Sequence, residues 1–290
     1  MSSPAEQGLM TVAVVGAAGQ LGSELVQVLS TRGHHVVALV RRDVDVTDHA
    51  AVLDIVPRTG ASVVVNCTAF NDVDGAEDRP GDALAANAFA VRSLARACAE
   101  TGATFVHYST DFVFDGTASA PYTEADRTNP QSVYAQSKLL GEWFAADVPR
   151  HYVLRVESLF GGRAARSSVD KIVDAVAGGR PARVFADRTV SPSYVEDVAL
   201  ATEALLARGA APGLYHCVND GSATWLGVAE EVVRLLGADR GLLEPVKVAD
   251  VALKAKRPQY CALSNAKLAE AGAAMPDWRD ALARYLRRRG

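Results

Sequence analysis

The chain has 290 residues, of which 49% are hydrophobic and 22% are charged, and its formal net charge is −4. This balance is typical of a globular protein with a large core and excludes a disordered or fibrous chain. The charge gives no support to nucleic-acid binding, and the apolar runs are interrupted before the roughly 20 residues that a membrane span needs. Because the first ten residues lack a signal-peptide pattern, we expect a cytoplasmic protein.

The four cysteines give no sign of a metal site or a disulfide framework. Cys67, Cys98, Cys217 and Cys261 are far apart and form no Cys-x-x-Cys pair. We therefore expect all four to be reduced and structural, and no metal ligand is assigned.

The first half of the chain alternates short apolar runs with segments of helix length. After a polar tail, Thr11–Val15 predicts a strand, and a helix follows over residues 20–32. Further strands are predicted at 36–40, 62–65 and 104–108, and helices at 80–100 and 132–146. Apolar strands that alternate with helices predict a Rossmann-type doubly wound α/β fold, with a parallel sheet covered on both faces.

Glycines mark the junction between the first strand and the first helix. The spacing of Gly16, Gly19 and Gly22 leaves bare backbone and helix N–H groups facing a phosphate, so it predicts a dinucleotide site. Arg41 and Arg42 follow the second strand, where arginine accepts the 2′-phosphate of NADPH and an acidic residue would bind the ribose of NADH. NADPH is therefore favoured and NADH stays open, the alternative being that both arginines point into solvent.

Two further segments are candidates for cofactor contact. Asp45 and Val46 could lie against the adenine, although turn capping by Asp45 is equally consistent with the sequence. Ala69, Phe70 and Asn71 follow the third strand, at the sheet edge where open α/β folds bind ligands. A plain loop would explain these three residues equally well.

The residues with acid–base chemistry lie around the end of the fourth strand. Tyr134 and Lys138 are four residues apart on a predicted helix, so they share a face, and the ammonium group is expected to lower the pKa of the phenol. Thr110, between Ser109 and Asp111, is expected to project into the same crevice. Thr110 and Tyr134 would hydrogen-bond a ketone oxygen during hydride transfer, and Tyr134 would deliver the proton. The alternatives are a surface pair and strand-end capping by Thr110.

The regular alternation weakens after a strand at 153–156. We expect a flexible tail at 1–10, an NAD(P)-binding Rossmann domain at 11–156, and a smaller substrate-binding lobe at 157–290 with segments that return to the first domain. Its predicted elements are a Gly/Arg loop at 161–166, strands at 183–185 and 213–218, and helices at 168–177, 224–236 and 276–288. Thr224 is the expected N-cap of the helix over 224–236.

Four arginines in this part of the chain are candidates for binding a diphosphate, because planar guanidinium groups match phosphate geometry. Ordinary surface charge is equally consistent for each of them. They are Arg155, Arg163, Arg166 and Arg257.

Taken together, these segments resemble the dTDP-4-dehydrorhamnose reductase family of extended short-chain dehydrogenases/reductases. The resemblance runs nearly end to end and is most specific in His-Tyr-Ser-Thr-Asp-Phe-Val-Phe-Asp-Gly over residues 107–116. It implies NAD(P)H-dependent reduction of the 4-keto group of a dTDP-4-dehydro-6-deoxy-sugar, in the first place dTDP-4-dehydro-L-rhamnose to dTDP-L-rhamnose.

The resemblance also implies roles for individual residues. Tyr134 would be the proton donor, Lys138 its partner and Thr110 an assisting group, with Thr110 and Asp111 in contact with the sugar. The residues implied to line the cofactor are Gly19, Gln20, Leu21, Asp45, Val46, Ala69, Phe70, Asn71, Tyr108, Tyr134 and Lys138. Family members are often dimeric, so a homodimer is a candidate assembly; some use magnesium at the dimer contact, but no residue here identifies a magnesium ligand.

The chain departs from similar reductases at three places. They read Arg-Thr-Ser-Trp where residues 155–158 read Arg-Val-Glu-Ser, so Ser158 replaces an aromatic surface beside the sugar. Arg-Pro-x-Asn-Ser is replaced by Arg-Pro-Gln-Tyr-Cys over residues 257–261, and Tyr-Gly by Tyr-Ala over 134–135. Ser158 and Arg257 are nevertheless candidates for sugar binding. The departures fit an alternative, a 4-ketoreductase of an antibiotic sugar or an enzyme similar to dihydrostreptose synthase.

Two other readings stay open behind these. A nucleotide-sugar epimerase or dehydratase would keep NAD tightly bound, but a 4,6-dehydratase needs an Asp-Glu pair after the threonine, where this chain has Asp111 and Phe112. A noncatalytic NADP-binding regulatory subunit would not need the intact Thr110, Tyr134 and Lys138.

Overall fold

The computed structural model of the chain describes residues 8–163 and 166–289, and its centre is a sheet of six parallel strands. In spatial order the strands are Gly213–His216, His151–Val156, Thr104–Thr110, Val63–Asn66, Thr11–Val15 and His35–Leu39. The prediction of a parallel, doubly wound α/β fold is confirmed. Residues 1–7 of the predicted tail and 164–165 of the predicted Gly/Arg loop lie outside the described residues.

The central strands are apolar on both faces because each face is covered. Val12 and Val14 of the first strand belong to one core cluster, and the alternate residues Ala13 and Val15 belong to another. Helices Gln20–Thr31 and Val195–Ala207 pack against each other on the first face, and helices His49–Arg58, Ala90–Thr101 and Val133–Ala146 contribute to the second cluster. Among the described residues, no helix is both long and apolar enough to cross a membrane.

The strand order reverses beside the glycine loop. Strand His35–Leu39 lies on one side of Thr11–Val15, and Val63–Asn66 lies on the other. Doubly wound folds bind ligands at such a reversal, outside the carboxyl ends of the strands. Gly16 has a φ of +84°, and a Cβ there would be 2.9 Å from Cγ2 of Thr68, so only glycine fits at this position.

The prediction of one continuous α-helix over residues 80–100 is wrong in its middle. The chain forms helix Pro80–Leu84, then a π-helical turn at Ala85–Phe89, and then helix Ala90–Thr101. The turn places the buried amide of Asn87 against Phe70, where Oδ1 accepts from the Phe70 N–H at 2.8 Å and Nδ2 donates to its carbonyl at 3.1 Å. Such π turns are frequent at functional sites, and this one fixes the loop after the third strand.

The second half of the chain supplies one central strand and several small elements. Strand Gly213–His216 pairs with His151–Val156 at the sheet edge, and helix Val195–Ala207 was not among the predicted elements. The small strand pairs are Leu159–Phe160 with Ser193–Tyr194, Ala182–Phe185 with Leu243–Val246, and Thr189–Val190 with Ala223–Thr224. The other helices of this half are Ser168–Ala177, Trp225–Leu236 and Trp278–Arg289, with a short one at Ala266–Glu270; a further short helix, Val73–Asp78, lies in the first half. Thr224 is confirmed as an N-cap, since its hydroxyl accepts from the Gly227 N–H at 3.0 Å.

A buried ion pair joins the strand His151–Val156 to the helix that carries Tyr134. Arg155 donates to both carboxylate oxygens of Glu142 at 2.8 Å, and the two side chains are 3% and 7% exposed. The guanidinium also lies 5.0 Å from the centre of the Phe114 ring. The interpretation of Arg155 as a diphosphate ligand is therefore wrong, because its donors are already used inside the core.

Replacing Arg155 with methionine should lower the free energy of unfolding by about 3–5 kcal/mol, because Glu142 would keep a buried and unpaired charge. Denaturant unfolding measures this loss. The matched control is Arg234→Met, which removes an exposed partner of Glu231 and should cost no more than about 1 kcal/mol. Equal losses in the two variants would contradict the structural role of the buried pair.

Candidate active site

Tyr134 lies in a mostly apolar pocket at the carboxyl end of the central sheet. The helix Val133–Ala146 begins after Ser132, whose hydroxyl accepts from the Ala135 N–H, and this places Tyr134 in its first turn. Tyr134 is 8% exposed and meets the ring of Phe112 edge to face at 5.7 Å. Phe70, from the loop held by Asn87, packs in the same cluster. The structure therefore brings the predicted proton donor and the loop after the third strand together.

The hydroxyl of Thr110 is engaged on both sides. It donates to Oδ1 of Asp111 at 2.9 Å and accepts from the Phe112 N–H at 3.2 Å. Because a hydroxyl carries a single hydrogen, Thr110 in this arrangement cannot also donate to a substrate oxygen. The strand-end capping role is thus present, and carbonyl polarisation requires the hydroxyl to turn away from Asp111.

The ionisation of Tyr134 differs from the sequence expectation. Burial raises the pKa of its phenol above the ordinary value, and the charge of Asp111 raises it further, while Thr110 and Arg257 partly oppose the increase. The expectation that Lys138 lowers this pKa is wrong here, because desolvation outweighs the neighbouring cations. Tyr134 therefore holds its proton at neutral pH, as a proton donor must.

Lys138 is held by the main chain rather than by Tyr134. The residue is 3% exposed, and its ammonium group donates to the carbonyl of Tyr108 at 2.6 Å. Burial lowers the pKa of Lys138 to about 8, with Glu142 and Cys67 opposing the decrease. The side chain of Tyr108 points into the core, where its hydroxyl shares a 2.7 Å hydrogen bond with Thr202.

The glycine loop has the features that a phosphate-binding turn requires. Gly19 is the N-cap of helix Gln20–Thr31 and makes no side-chain capping bond, so the first N–H groups of the helix have no side-chain cap. Gln20 donates through its side chain to the Gly161 carbonyl at 2.9 Å, and Leu21 and Gly22 are buried. The residues present therefore fit the pyrophosphate of a dinucleotide.

The segment after the second strand is solvent-exposed. The side chains of Arg41 and Arg42 are 92% and 88% exposed, and each lies near a carboxylate, Asp45 at 3.9 Å and Asp43 at 3.7 Å. Asp45 also accepts from the N–H and hydroxyl of Thr47, which lowers its pKa and is the turn-capping role considered from the sequence. Val46 is half-buried beside it.

Two asparagines that the sequence did not single out shape the cofactor side of the crevice. Asn66 ends the third strand, and its Oδ1 accepts from the N–H and hydroxyl of Thr68 at 3.0 and 2.6 Å. Asn87 holds Phe70 as described above, while Ala69 is half-buried and Asn71 is exposed. In the sequence, Asn87 is a single amide within an alanine-rich segment, and a polar side chain there is expected to face solvent rather than the core.

The predicted sugar-binding residues of the second lobe occupy different positions. Arg257 forms an ion pair with Asp74 at 3.0 Å and lies 5.9 Å from the Phe112 ring, next to Tyr134. Ser158 has a φ of +46°, the only positive φ among the described non-glycine residues, and its carbonyl accepts from the Ser193 N–H. Arg163 and Arg166 are exposed.

A buried group of titratable side chains lies beside Asp111. Asp111, Glu157 and Cys261 each place a ligand-type atom within 4.8 Å of the others, and all three are buried. Burial raises the pKa of both carboxyl groups, that of Glu157 well above its ordinary value. Donors of this kind can bind a metal ion, but here the guanidinium of Arg188, 3.6 Å from the Cys261 sulfur, supplies the positive charge.

A cavity of about 420 Å³ opens on the other side of Arg188. Its wall combines aromatic rings with cationic side chains, including Phe185, Trp225, Lys171 and Arg183. The guanidinium of Arg188 lies 5.1 Å from the Phe112 ring, which in turn contacts Tyr134. The cavity is therefore connected to the acid–base residues through two side chains.

Comparison with known proteins places the chain among reductases of nucleotide sugars. The sequence profile of the RmlD substrate binding domain matches residues 10–289. The chain is 40% identical over 279 residues to a dTDP-4-dehydrorhamnose reductase of Mycobacterium tuberculosis, covering 94% of this chain and 91% of the relative. It is 36% identical over 261 residues to a dTDP-4-keto-6-deoxy-D-glucose reductase of Streptomyces niveus, covering 89% and 90%.

A solved structure shows the same architecture. The crystal structure of dTDP-4-dehydrorhamnose reductase from Bacillus anthracis, in complex with NADP, superposes with a TM-score of 0.91 at 27% identity. The superposition covers 96% of this chain and 99% of that one.

The buried state of Lys138 predicts a pH dependence of stability. Its pKa of about 8 lies below the ordinary value of 10.5, so between these pH values the unfolded chain binds a proton that the folded chain has released. Stability should therefore rise with pH in this window, by up to about 3 kcal/mol, and the cost of burial is fully present below pH 8.

Denaturant unfolding of the wild type and Lys138→Met across this pH range isolates the contribution. The wild type should gain stability relative to the variant as pH rises. Lys256→Met, at an exposed lysine, is the matched control and should show a constant difference from the wild type. A constant difference for Lys138→Met as well would show that Lys138 is not desolvated.

Proposed function

Because the chain belongs to the dTDP-4-dehydrorhamnose reductase family, we propose that it reduces the 4-keto group of a dTDP-4-dehydro-6-deoxy-sugar with NADPH. The first candidate reaction is the conversion of dTDP-4-dehydro-L-rhamnose to dTDP-L-rhamnose. The observation that carries the proposal is the protonated, buried Tyr134 next to Thr110, at the sheet edge that also carries the glycine loop.

In the proposed reaction the protein supplies a proton and polarises the keto group of the substrate. NADPH, when bound, supplies the hydride. Tyr134 keeps its proton until charge develops on the ketone oxygen, because burial disfavours the phenolate. Thr110 turns its hydroxyl from Asp111 to that oxygen, and Tyr134 transfers its proton to it. Lys138, in its protonated form, stabilises the phenolate that remains.

The cavity beside Arg188 is our proposed site for the nucleotide end of the substrate. Phe185 and Trp225 offer apolar surfaces for a base, and Lys171, Arg183 and Arg188 offer cations for a diphosphate. Arg188 lies between the cavity and the buried group of Asp111, Glu157 and Cys261. A diphosphate bound by Arg188 in the cavity would therefore place the attached sugar toward Tyr134. Arg257, beside Tyr134, would then contact the sugar itself.

A second candidate within the same chemistry is a 4-ketoreductase that makes a different deoxysugar. Ser158 favours it, because similar reductases carry tryptophan at this position and a smaller side chain admits a different ring or substituent. The relative from Streptomyces niveus is named for a different 4-keto sugar. An epimerase or a noncatalytic subunit has no comparable support, since Asp111 is followed by Phe112 and the proposed catalytic residues are all present.

Tyr134→Phe should lower kcat by about 10²- to 10⁴-fold, because it removes the proton donor and leaves the pocket filled. NADPH oxidation with dTDP-4-dehydro-L-rhamnose generated in situ measures the rate, and fluorescence titration measures NADPH binding, which should be unchanged. Tyr152→Phe, whose hydroxyl bonds the Ala210 carbonyl away from the site, is the matched control and should retain the rate.

Analysis of the sugar product separates the two candidates. Formation of dTDP-L-rhamnose by the wild type supports the first, and a different reduced sugar supports the second. Full turnover by Tyr134→Phe would overturn the assignment of the proton donor.

The preference for NADPH rests on Arg41 and Arg42, and the structure solved with NADP supports it. Replacing both by alanine should raise the KM for NADPH at least about tenfold, because hydrogen bonds to charged groups are worth about 1.5–3 kcal/mol each. The KM for NADH, which lacks the 2′-phosphate, should stay the same. Arg58→Ala, at an exposed arginine of the following helix, is the control. An unchanged KM for NADPH would identify both arginines as surface charge.

A further inference from the structure

Two departures from the similar reductases meet at one buried carboxylate. Glu157 follows the strand His151–Val156, and Cys261 lies more than a hundred residues later, yet both reach Asp111 within 4.8 Å. In the similar reductases both positions carry serine. The chain therefore places a second carboxyl group beside a residue that is adjacent to the proposed catalytic Thr110.

In each of the two carboxyl groups, one of the two oxygens accepts a hydrogen bond. Oδ1 of Asp111 accepts from the Thr110 hydroxyl, and Oε2 of Glu157 accepts from the Ser191 N–H at 2.7 Å. The remaining oxygens, Oδ2 of Asp111 and Oε1 of Glu157, are buried and have no hydrogen-bond partner among residues 8–163 and 166–289. Two ionised carboxylates would leave both oxygens unsatisfied and would repel each other, whereas one proton on the pair would turn one oxygen into a donor and remove one of the two charges.

The charges around Asp111 and Glu157 also indicate that only one of the two carboxyl groups is ionised. Arg188 faces both carboxyl groups from the second lobe, and the thiol of Cys261 and the phenols of Tyr134 and Tyr260 are the other titratable groups that face them. Burial and mutual repulsion hold the pKa of both Cys261 and Glu157 well above their ordinary values. One guanidinium offsets one carboxylate, so the second carboxyl group must be neutral.

We propose that Asp111 and Glu157 share a single proton, and that Glu157 is a positioning residue that sets, through Asp111, how Thr110 and Tyr134 act on the substrate. The charge on Asp111 retains the Thr110 hydroxyl hydrogen and disfavours the phenolate of Tyr134. When the proton lies toward Asp111, that charge falls. Thr110 is then free to donate to the ketone oxygen, and Tyr134 is a stronger acid.

The effect on catalysis rests on the proposed function, whereas the shared proton does not. Infrared spectroscopy of the unliganded protein in D₂O near pH 7 tests the proton directly through the C=O stretch of a protonated carboxyl group. Glu157→Gln should lose intensity in this band, because it removes the neutral carboxyl. Glu231→Gln is the matched control, since Glu231 is ionised beside Arg234, and it should lose only carboxylate intensity.

Glu157→Ser, which restores the residue of the similar reductases, should lose the same band and serves if the glutamine variant does not fold. Loss of carboxylate intensity alone in the Glu157 variants would overturn the shared proton.

The pH dependence of kcat/KM for the 4-keto sugar tests the positioning role, with each profile normalised to its own plateau. Loss of the shared proton should contribute to the alkaline limb of the wild type beside the deprotonation of Lys138, so Glu157→Gln should remove that contribution and leave the limb that Lys138 gives near pH 8.

Superimposable normalised profiles would overturn the positioning role while the infrared result stands. Absence of reduction by the wild type, with every dTDP-4-keto sugar tried, would overturn the proposed function and with it the effect on catalysis. The infrared comparison of Glu157→Gln with Glu231→Gln would still decide whether Asp111 and Glu157 hold one proton.

Discussion

The parallel alignment of the six central strands is the constraint on which the site depends. Because all strands run the same way, their carboxyl ends meet at one edge of the sheet, and the residues that follow them become neighbours. Thr110 ends a central strand, and Gly16, Arg41, Thr68 and Glu157 follow central strands. Because both faces of the sheet are also covered, the polar residues near the middle of this edge, Asn66, Thr110 and Glu157, are buried among apolar ones.

Burial gives the acid–base residues their character. Desolvation raises the pKa of Tyr134 and lowers the pKa of Lys138, and both shifts favour the neutral form of the side chain. Helical spacing alone suggested that the lysine would dominate, but the nearest partner of Lys138 is a carbonyl and the charge that acts on Tyr134 belongs to Asp111. The three-dimensional surroundings of the pair, rather than its spacing, therefore determine which group holds a proton.

Features that depend on local sequence could be predicted, and features that depend on distant contacts could not. The glycine loop, the central strands and the Thr224 cap follow from spacing and residue type within a few positions. The helix Val195–Ala207 begins without a side-chain cap, and acidic residues in its first turn are a weaker start signal than a cap. The π turn at Asn87 reflects bonds to Phe70 and Ser137 elsewhere in the chain.

The candidate site follows the same division. Tyr134 and Thr110 were found because each belongs to a short motif, and their meeting follows from strand order. The pairing of Arg155 with Glu142, and the approach of Glu157 and Cys261 to Asp111, join segments whose proximity only the folded chain reveals. The anchoring of Lys138 has an evolutionary consequence. Its acceptor is the main-chain carbonyl of Tyr108, which every residue type possesses, so substitutions at position 108 are limited only by the fit of the side chain around Thr202. At position 138 the side chain itself is the donor, so a substitution there removes the hydrogen bond.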